Sequence, residues 1–332
     1  MVQKGVEVLP KKLGYGPCHI VEEGQRRPAK LADQPAQQPR GGPCSRFFKH
    51  IPKILACSQG GPRQSDACCL GGGCANMALV ESFIGTSGYS YPEWKGEFYP
   101  DRIATSDMLS FYASQLSSVE VNNTFYRMPR ASVLSNWAKR VSPGFRFAVK
   151  ASRRITHFKR LADCEQVLSY LLGGLSNLGP HLGPILFQLP PTLKADTPRL
   201  AAFVEMLPPA IEPKTDRSAK AGAVSALCQQ SAPLLAAFEF RHRSWFCDSV
   251  YEVLAQRGCA LVGGDQDEEG KDPPLVRTAA FSYLRLRKTH YQSAELSAWA
   301  RRLRDAGFEQ NFAYFKHEEL GPKLARRLQN LL

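Results

Sequence analysis

Glu120, Glu239 and Asp265 are carboxylates, and His157 is an imidazole; these groups can take and give protons in catalysis. Lys150, Arg241 and Arg285 are cations, and guanidinium groups suit phosphate and carboxylate partners. Asn122, Gln188 and His242 add hydrogen-bonding groups, and Tyr126 and Trp245 add aromatic faces. Gathered around one cleft, such a set would bind an anionic substrate and act on it by acid–base chemistry, for instance by hydrolysis. A divalent metal on Glu120, Glu239 and Asp265 is compatible with the residue types, but no spacing motif requires a cofactor. The P-loop, the Gly-x-Ser-x-Gly elbow and the His-Glu-x-x-His helix are all absent from the sequence.

These residues close short β-rich runs. Candidate strands fall at 82–86, 118–122, 145–150, 184–188, 236–241, 260–265, 281–287 and 312–316. Helical patterns separate them, as in a parallel sheet wrapped by helices. Eight such units predict a single α/β chain fold of the (β/α)8 TIM type, whose active sites lie at the C-terminal strand ends. Side chains alternate faces along a strand, so Glu120 pairs in direction with Asn122, Glu239 with Arg241, and Arg285 with Arg287. The apolar Val121, Phe240 and Leu286 between them face the covering helices, which turns the charged set inward. Buried charges must pair or meet a ligand. Asp265 is expected in the same ring, with Lys316, His317 and Glu318 after the last strand left without roles.

The helices carry start signals. Asp163 with Gln166 resembles a capping box, and Thr197 before Pro198 offers a capping hydroxyl. The sixth helix is weak, because Pro273 and Pro274 interrupt it. Residues 210–233 read as an insertion on the opposite face of the barrel, with an extra helix near 219–229 and no catalytic part.

The fold needs only part of the chain. Of 332 residues, the first 76 hold 11 Gly and 8 Pro, six of the ten cysteines, and +6 of the +13 formal charge. They show no sustained periodicity and read as a disordered extension, or as sequence upstream of a true start at Met77. Cys69 and Cys74 lack the second close pair that a zinc site needs. The remaining 256 residues match one barrel of ~250 residues. No apolar run approaches the ~20 residues of a membrane helix, and no secretory signal opens the chain. A cytoplasmic protein with reduced thiols is expected.

Residues 84–94 (IGTSGYSYPEW), 120–126 (EVNNTFY), 147–150 with 155–157, 187–190 (FQLP), 239–245 (EFRHRSW) and Trp299-Ala300 together resemble the YecE-like family, domain of unknown function 72. The resemblance runs from about Phe83 to Leu332 and implies a TIM-type barrel without naming a reaction. Tyr89 stands where that family commonly has tryptophan, and Lys316-His317-Glu318 replaces an asparagine pair.

Three functions are therefore in competition. One is an enzyme acting on a small phosphate- or carboxylate-bearing substrate. Another is a nucleic-acid-binding module or nuclease, suggested by a pI of about 9.3 and by the basic, aromatic stretch 153–160. The third is a non-catalytic scaffold barrel, which would have a closed ion network and no open cleft beside Glu239.

Overall fold

The computed structural model describes residues 80–213, 230–268, 272–316 and 319–332. The expectations for 1–76, Met77, the helix near 219–229, His317 and Glu318 lie outside the described residues. Eight strands form one sheet: β1 (Glu81–Thr86), β2 (Ser118–Val121), β3 (Arg146–Lys150), β4 (Leu182–Gln188), β5 (Ala236–Glu239), β6 (Ala260–Asp265), β7 (Phe281–Leu286) and β8 (Gln310–Phe315). Neighbours pair in parallel and in sequence order from β2 round to β8, and β8 pairs with β1.

The last junction, β1 against β2, closes differently. A parallel bridge joins Ser87 to Glu120, with Gly88 N–H donating to the Glu120 carbonyl at 2.9 Å. Below it, side chains stand in for the ladder. The buried Tyr112 hydroxyl accepts from Thr86 N–H at 2.9 Å and donates to the Ser118 carbonyl at 3.0 Å. Ser117 Oγ accepts from Ile84 N–H at 2.9 Å and donates to the Ser82 carbonyl at 3.3 Å. The strands approach so closely here that a Cβ on Gly85 would lie 1.9 Å from the Ser118 oxygen, so only glycine fits.

Among the described residues seven helices cover the outside: α1 (Met108–Gln115), α2 (Ala131–Lys139), α3 (Glu165–Leu175), α4 (Thr197–Glu205), α5 (Asp248–Gln256), α6 (Ser293–Asp305) and α7 (Gly321–Gln329). Among the described residues no helix joins β6 to β7, where the proline pair stands. The capping details differ from the expected ones. Asp196, not Thr197, caps α4, accepting from Arg199 N–H at 3.0 Å. Asp163 adopts φ 48° before α3 rather than capping it. The insertion begins and ends in an antiparallel pair, Ala210–Ile211 with Ala232–Pro233.

Period-two alternation sorts the core into two layers. Phe83, Ala148, Leu186, Val262, Tyr283 and Phe312 fill the barrel interior. Their strand neighbours, such as Ile84, Val149, Phe187, Leu284 and Ala313, join the larger cluster under the helices. The same parity carries Glu120, Lys150, Gln188, Glu239 and Arg285 inward at the C-terminal ends. Among the described residues no helix is long and apolar enough to cross a membrane.

Candidate functional site

A connected charge network fills the mouth of the barrel. Glu120 is fully buried. Its Oε1 accepts from Ser87 Oγ at 2.7 Å, Asn122 Nδ2 at 3.1 Å and Arg285 Nη2 at 2.7 Å; its Oε2 accepts from the Tyr283 hydroxyl at 2.8 Å. Glu239 Oε2 accepts from Gln188 Nε2 at 2.7 Å and Arg285 Nη1 at 2.8 Å, and its Oε1 takes Arg287 Nη2 at 2.5 Å. Arg285 therefore bridges both carboxylates. Burial alone would raise both glutamates. The charge of Arg285 together with hydrogen bonds from Ser87, Arg285 and Tyr283 outweighs it at Glu120 and lowers that carboxyl, and the charges of Arg285 and Arg287 with hydrogen bonds from Gln188 and Arg285 bring Glu239 to about 2. Both stay ionised, and Glu120 has four donors on two oxygens.

Lys150 is held differently. Its Nζ donates to Gln188 Oε1 at 2.8 Å and sits 4.4 Å above the Phe125 ring centroid. It meets an amide and an aromatic face, not a carboxylate. Burial and the nearby Arg285 lower its pKa to about 8, against partial compensation by Glu120 and Glu239. His157 lies on the one-turn π-helix Arg154–Phe158, packed edge-on against Phe125 at 5.0 Å. Its Nδ1 meets Thr156 Oγ1 at 2.9 Å. Burial, then Lys150 and Arg241, lower its pKa and favour the neutral ring.

Beside this network opens a cavity of about 750 Å³. Its deep wall carries Glu239, Arg285 and Arg287, and its rim carries Arg241, His242 and Glu268. Arg241 was expected to point inward with Glu239. The ladder ends at Glu239, so alternation stops and Arg241 stands exposed on the rim. His242 is half-buried there, its Nδ1 accepting from Ser244 N–H at 3.2 Å. A second hollow of about 230 Å³ lies between Tyr89, Tyr91, Asn122 and Trp137.

Five expected binding residues do not line the large cavity: Asn122 borders the second hollow, Lys150 and Gln188 belong to the network beside it, and Trp245 and Tyr126 lie elsewhere; the expected catalytic Glu120 and His157 do not line it either. Trp245 is fully buried, stacked on Phe240 at 4.6 Å, and its indole N–H donates to the Leu193 carbonyl at 2.8 Å. It anchors the loop that presents Arg241 and His242. Tyr126 is 70% exposed, at the end of the loop after β2.

Asp265 does not join the Glu120–Glu239 network, although it lines the large cavity. Gly264 occupies the inward position at the end of β6, so Asp265 turns outward. There it accepts from the Tyr291 hydroxyl, from Arg287 N–H at 3.1 Å and from Trp299 Nε1 at 2.8 Å. Burial raises its pKa against those hydrogen bonds. It ties α6 and the loop after β7 to the barrel, and it does not join Glu120 and Glu239 as a metal ligand. Among the described residues, no group of three or more His, Cys, Asp or Glu is arranged to hold a metal ion. Cys164 and Cys259 are buried with their thiols pushed up to about 11 and about 12, as expected of inert thiols.

Ser87 and Tyr283 carry no role in the sequence pattern, and Arg287, expected inward with Arg285, joins the network through Glu239. Tyr283 and Arg287 share the inward parity of Arg285 on β7, which is the signal that marks them. Ser87 has no such signal, since it acts through the β1–β2 bridge.

A family model described as "Protein of unknown function DUF72" matches residues 83–332. The chain is 31% identical over 127 residues to the UPF0759 protein YecE of Escherichia coli K12, covering 38% of this chain and 44% of that protein. It is 26% identical over 176 residues to the UPF0759 protein YunF of Bacillus subtilis 168, covering 51% of this chain and 54% of that one. The chain thus spans about half the length of these curated relatives. A DUF72 family crystal structure from Thermotoga maritima superposes with a TM-score of 0.58 at 22% identity, covering 75% of this chain and 97% of that one. One from Enterococcus faecalis V583 gives 0.56 at 16% identity, covering 76% and 98%. At these identities the likeness speaks for the fold.

Proposed function

This chain belongs to the DUF72 family, proteins of unknown function, and from that premise we propose that its barrel mouth binds a small phosphate- or carboxylate-bearing substrate and transfers protons on it. The observation that carries this reading is a surplus of positive charge. Three cations, Arg285, Arg287 and Lys150, face two carboxylates, Glu120 and Glu239, in one hydrogen-bonded cluster. Of this cluster Glu239, Arg285 and Arg287 line a cavity of about 750 Å³, together with Arg241, Arg243, Asp265, Glu268 and Asp272, and Lys150 joins the cluster from beside it through Gln188. An anion there completes the charge balance. Arg287 and Arg241 are the groups that meet it, with Arg285 behind them. An open cleft beside Glu239 also disfavours the pure scaffold reading.

The acid–base roles follow from the environments. Glu120 and Glu239 are saturated by donors and serve as fixed counter-charges that orient the arginines. Lys150, with its pKa brought to about 8, and His157, whose lowered pKa favours the neutral ring, are the groups suited to giving and taking a proton. Hydrolysis is the simplest reaction that such a pair supports, with His157 as the base and Lys150 as the acid. Asn122 and Gln188 position Glu120 and Glu239.

The test is a thermal-shift titration of the full chain with inorganic phosphate, pyrophosphate and citrate. Binding to the native state raises its apparent stability. At least one of these anions should raise Tm in a saturable way, and Arg287→Gln and Arg241→Gln should weaken the response by tenfold or more. An unmoved wild-type Tm, or an unaltered response in Arg287→Gln, overturns the reading.

A further inference from the structure

From β2 to the start of α3 the chain is strongly one-sided in charge. Residues 121–162 contain ten Lys and Arg and no Asp or Glu. Residues 77–332 carry a net +7, so this stretch supplies more than the whole surplus. Arg127, Arg130, Arg153, Arg154, Lys159 and Arg160 are all exposed, and among the described residues none of them makes an ion pair. Arginines and lysines elsewhere on the surface, such as Arg199, Lys288 and Lys323, do pair.

Aromatic rings are set among these cations. Phe158 is 67% exposed and Tyr126 is 70% exposed. The Arg153 guanidinium lies 5.3 Å from the Phe158 ring centroid and 5.4 Å from that of Tyr126, so one arginine links two rings from different loops. Two large exposed rings thus stand within one basic strip.

The backbone beneath is built to hold this display. The π-helix Arg154–Phe158 is followed by left-handed φ values at Arg160 (50°), Leu161 (69°) and Asp163 (48°). Such conformations at non-glycine residues persist only where packing enforces them. Here Ile155, Leu161 and Cys164 are buried in the core, and Leu161 N–H donates to the Ile155 carbonyl at 3.0 Å. The buried anchors leave Arg153, Arg154, Phe158, Lys159 and Arg160 facing outward in one fixed arrangement. A preformed surface loses little entropy on binding.

We infer that the loops after β2 and β3 form a binding surface for single-stranded nucleic acid, with Tyr126 and Phe158 as stacking platforms and the flanking cations on the phosphates. Cations spaced along a backbone and rings that accept any base are the two elements of such sites. A duplex keeps its bases stacked internally and cannot use the rings. A membrane would need a broader apolar face than two rings. This surface is separate from the cavity walled by Glu239 and Arg287, so it stands without the anionic-substrate reading.

The experiment is fluorescence anisotropy of a labelled oligothymidylate with the full chain. Wild type should bind, and affinity should fall by about 100-fold between 50 and 200 mM salt for about five phosphate contacts. Phe158→Ala and Tyr126→Ala should each weaken binding by about tenfold at fixed salt. Arg153→Gln/Arg154→Gln should weaken it and flatten the salt dependence. Arg287→Gln should bind like wild type, which separates this surface from the cavity. All the altered patch side chains are solvent-facing, and unchanged circular-dichroism melting checks that the fold persists. Comparing variants within the full chain holds the charge of residues 1–76 constant. Equal affinity for duplex and single strand, with no effect of removing either ring, overturns the inference. So does saturable binding to phosphatidylserine vesicles without oligonucleotide binding.

Discussion

Arg285 on β7 meets Glu120 on β2 at 2.7 Å across the barrel mouth, with side-chain exposures of 11% and 0%. Its other terminal nitrogen holds Glu239 at 2.8 Å. Two buried carboxylates thus share one guanidinium, and removing it strands Glu120 and leaves Glu239 with Arg287 alone. Arg285→Met should lose about 3–5 kcal/mol of unfolding free energy in urea at pH 7. The loss should shrink in mild acid, where the freed carboxylates protonate. The triple variant Glu120→Gln/Glu239→Gln/Arg285→Met should recover part of it, because no buried carboxylate is left unpaired and only the partly exposed Arg287 loses its partner.

Glu239 links stability to acid. Its native pKa of about 2 lies below the ordinary value of 4.5. The stabilisation it brings is complete above pH 4.5 and disappears as pH falls towards 2. The stability gap between wild type and Glu239→Gln should therefore narrow across that window, read by chemical denaturation at successive pH values.

Lys150 also gains stability as pH rises, but here it is the charged form that burdens the fold. Its native pKa of about 8 lies below the ordinary 10.5, so the unfolded chain holds the proton more tightly between those values. Stability from this group rises as pH climbs from about 8 to 10.5, and the protonated lysine burdens the native state at pH 7. Lys150→Met should be more stable than wild type at pH 7 by up to about 3 kcal/mol, an upper bound from the size of the shift. The advantage should vanish near pH 10.5. A variant that is equally stabilised at both pH values would mean that packing, not charge, sets the difference.

Asp265 is predicted to matter for stability and not for the anion. Asp265→Ala leaves the buried Tyr291 hydroxyl and Trp299 indole without their acceptor, which should cost about 1–3 kcal/mol. The phosphate or citrate affinity from thermal-shift titration should stay within twofold of wild type.

Gly264 should tolerate no side chain. It has φ 151°, and a Cβ would lie 2.1 Å from the Arg285 carbonyl oxygen. Gly264→Ala should lower Tm and weaken anion binding together, since β7 must shift and carry Arg285 and Arg287 with it. Preserved affinity in a destabilised protein would separate the two effects.

The eight strands were legible because each alternates between interior and helix-facing residues, and because charged residues end so many of them. The inward direction of Glu120, Lys150, Glu239 and Arg285 follows from that parity. Parity also explains the failures. At the end of β6 the inward residue is Gly264, which has no side chain to announce its direction, so Asp265 was grouped with the ring. At the end of β5 the ladder stops two residues early, and Arg241 escapes the rule. Trp245 sits in a loop, where no period exists to distinguish an anchor from a contact. The pairing of Glu239 with Arg287 joins strands 48 residues apart, a match that no local pattern encodes.

The junction of β1 and β2 makes the cylinder a clasped band. Elsewhere the wall is continuous backbone, but here it is fastened by the hydroxyls of Tyr112 and Ser117 below one bridge. Fluctuations that part a wall start where the fewest main-chain bonds must break together. The amides of Ile84 and Thr86 should exchange with solvent ahead of those in β7 and β8. Glu120 forms part of that fastening, since its carbonyl takes Gly88 N–H and its carboxylate takes Ser87 Oγ. Arg285 also holds Glu120, so the proposed anion, by drawing on Arg285, should change the exchange rates of the Ile84 and Thr86 amides.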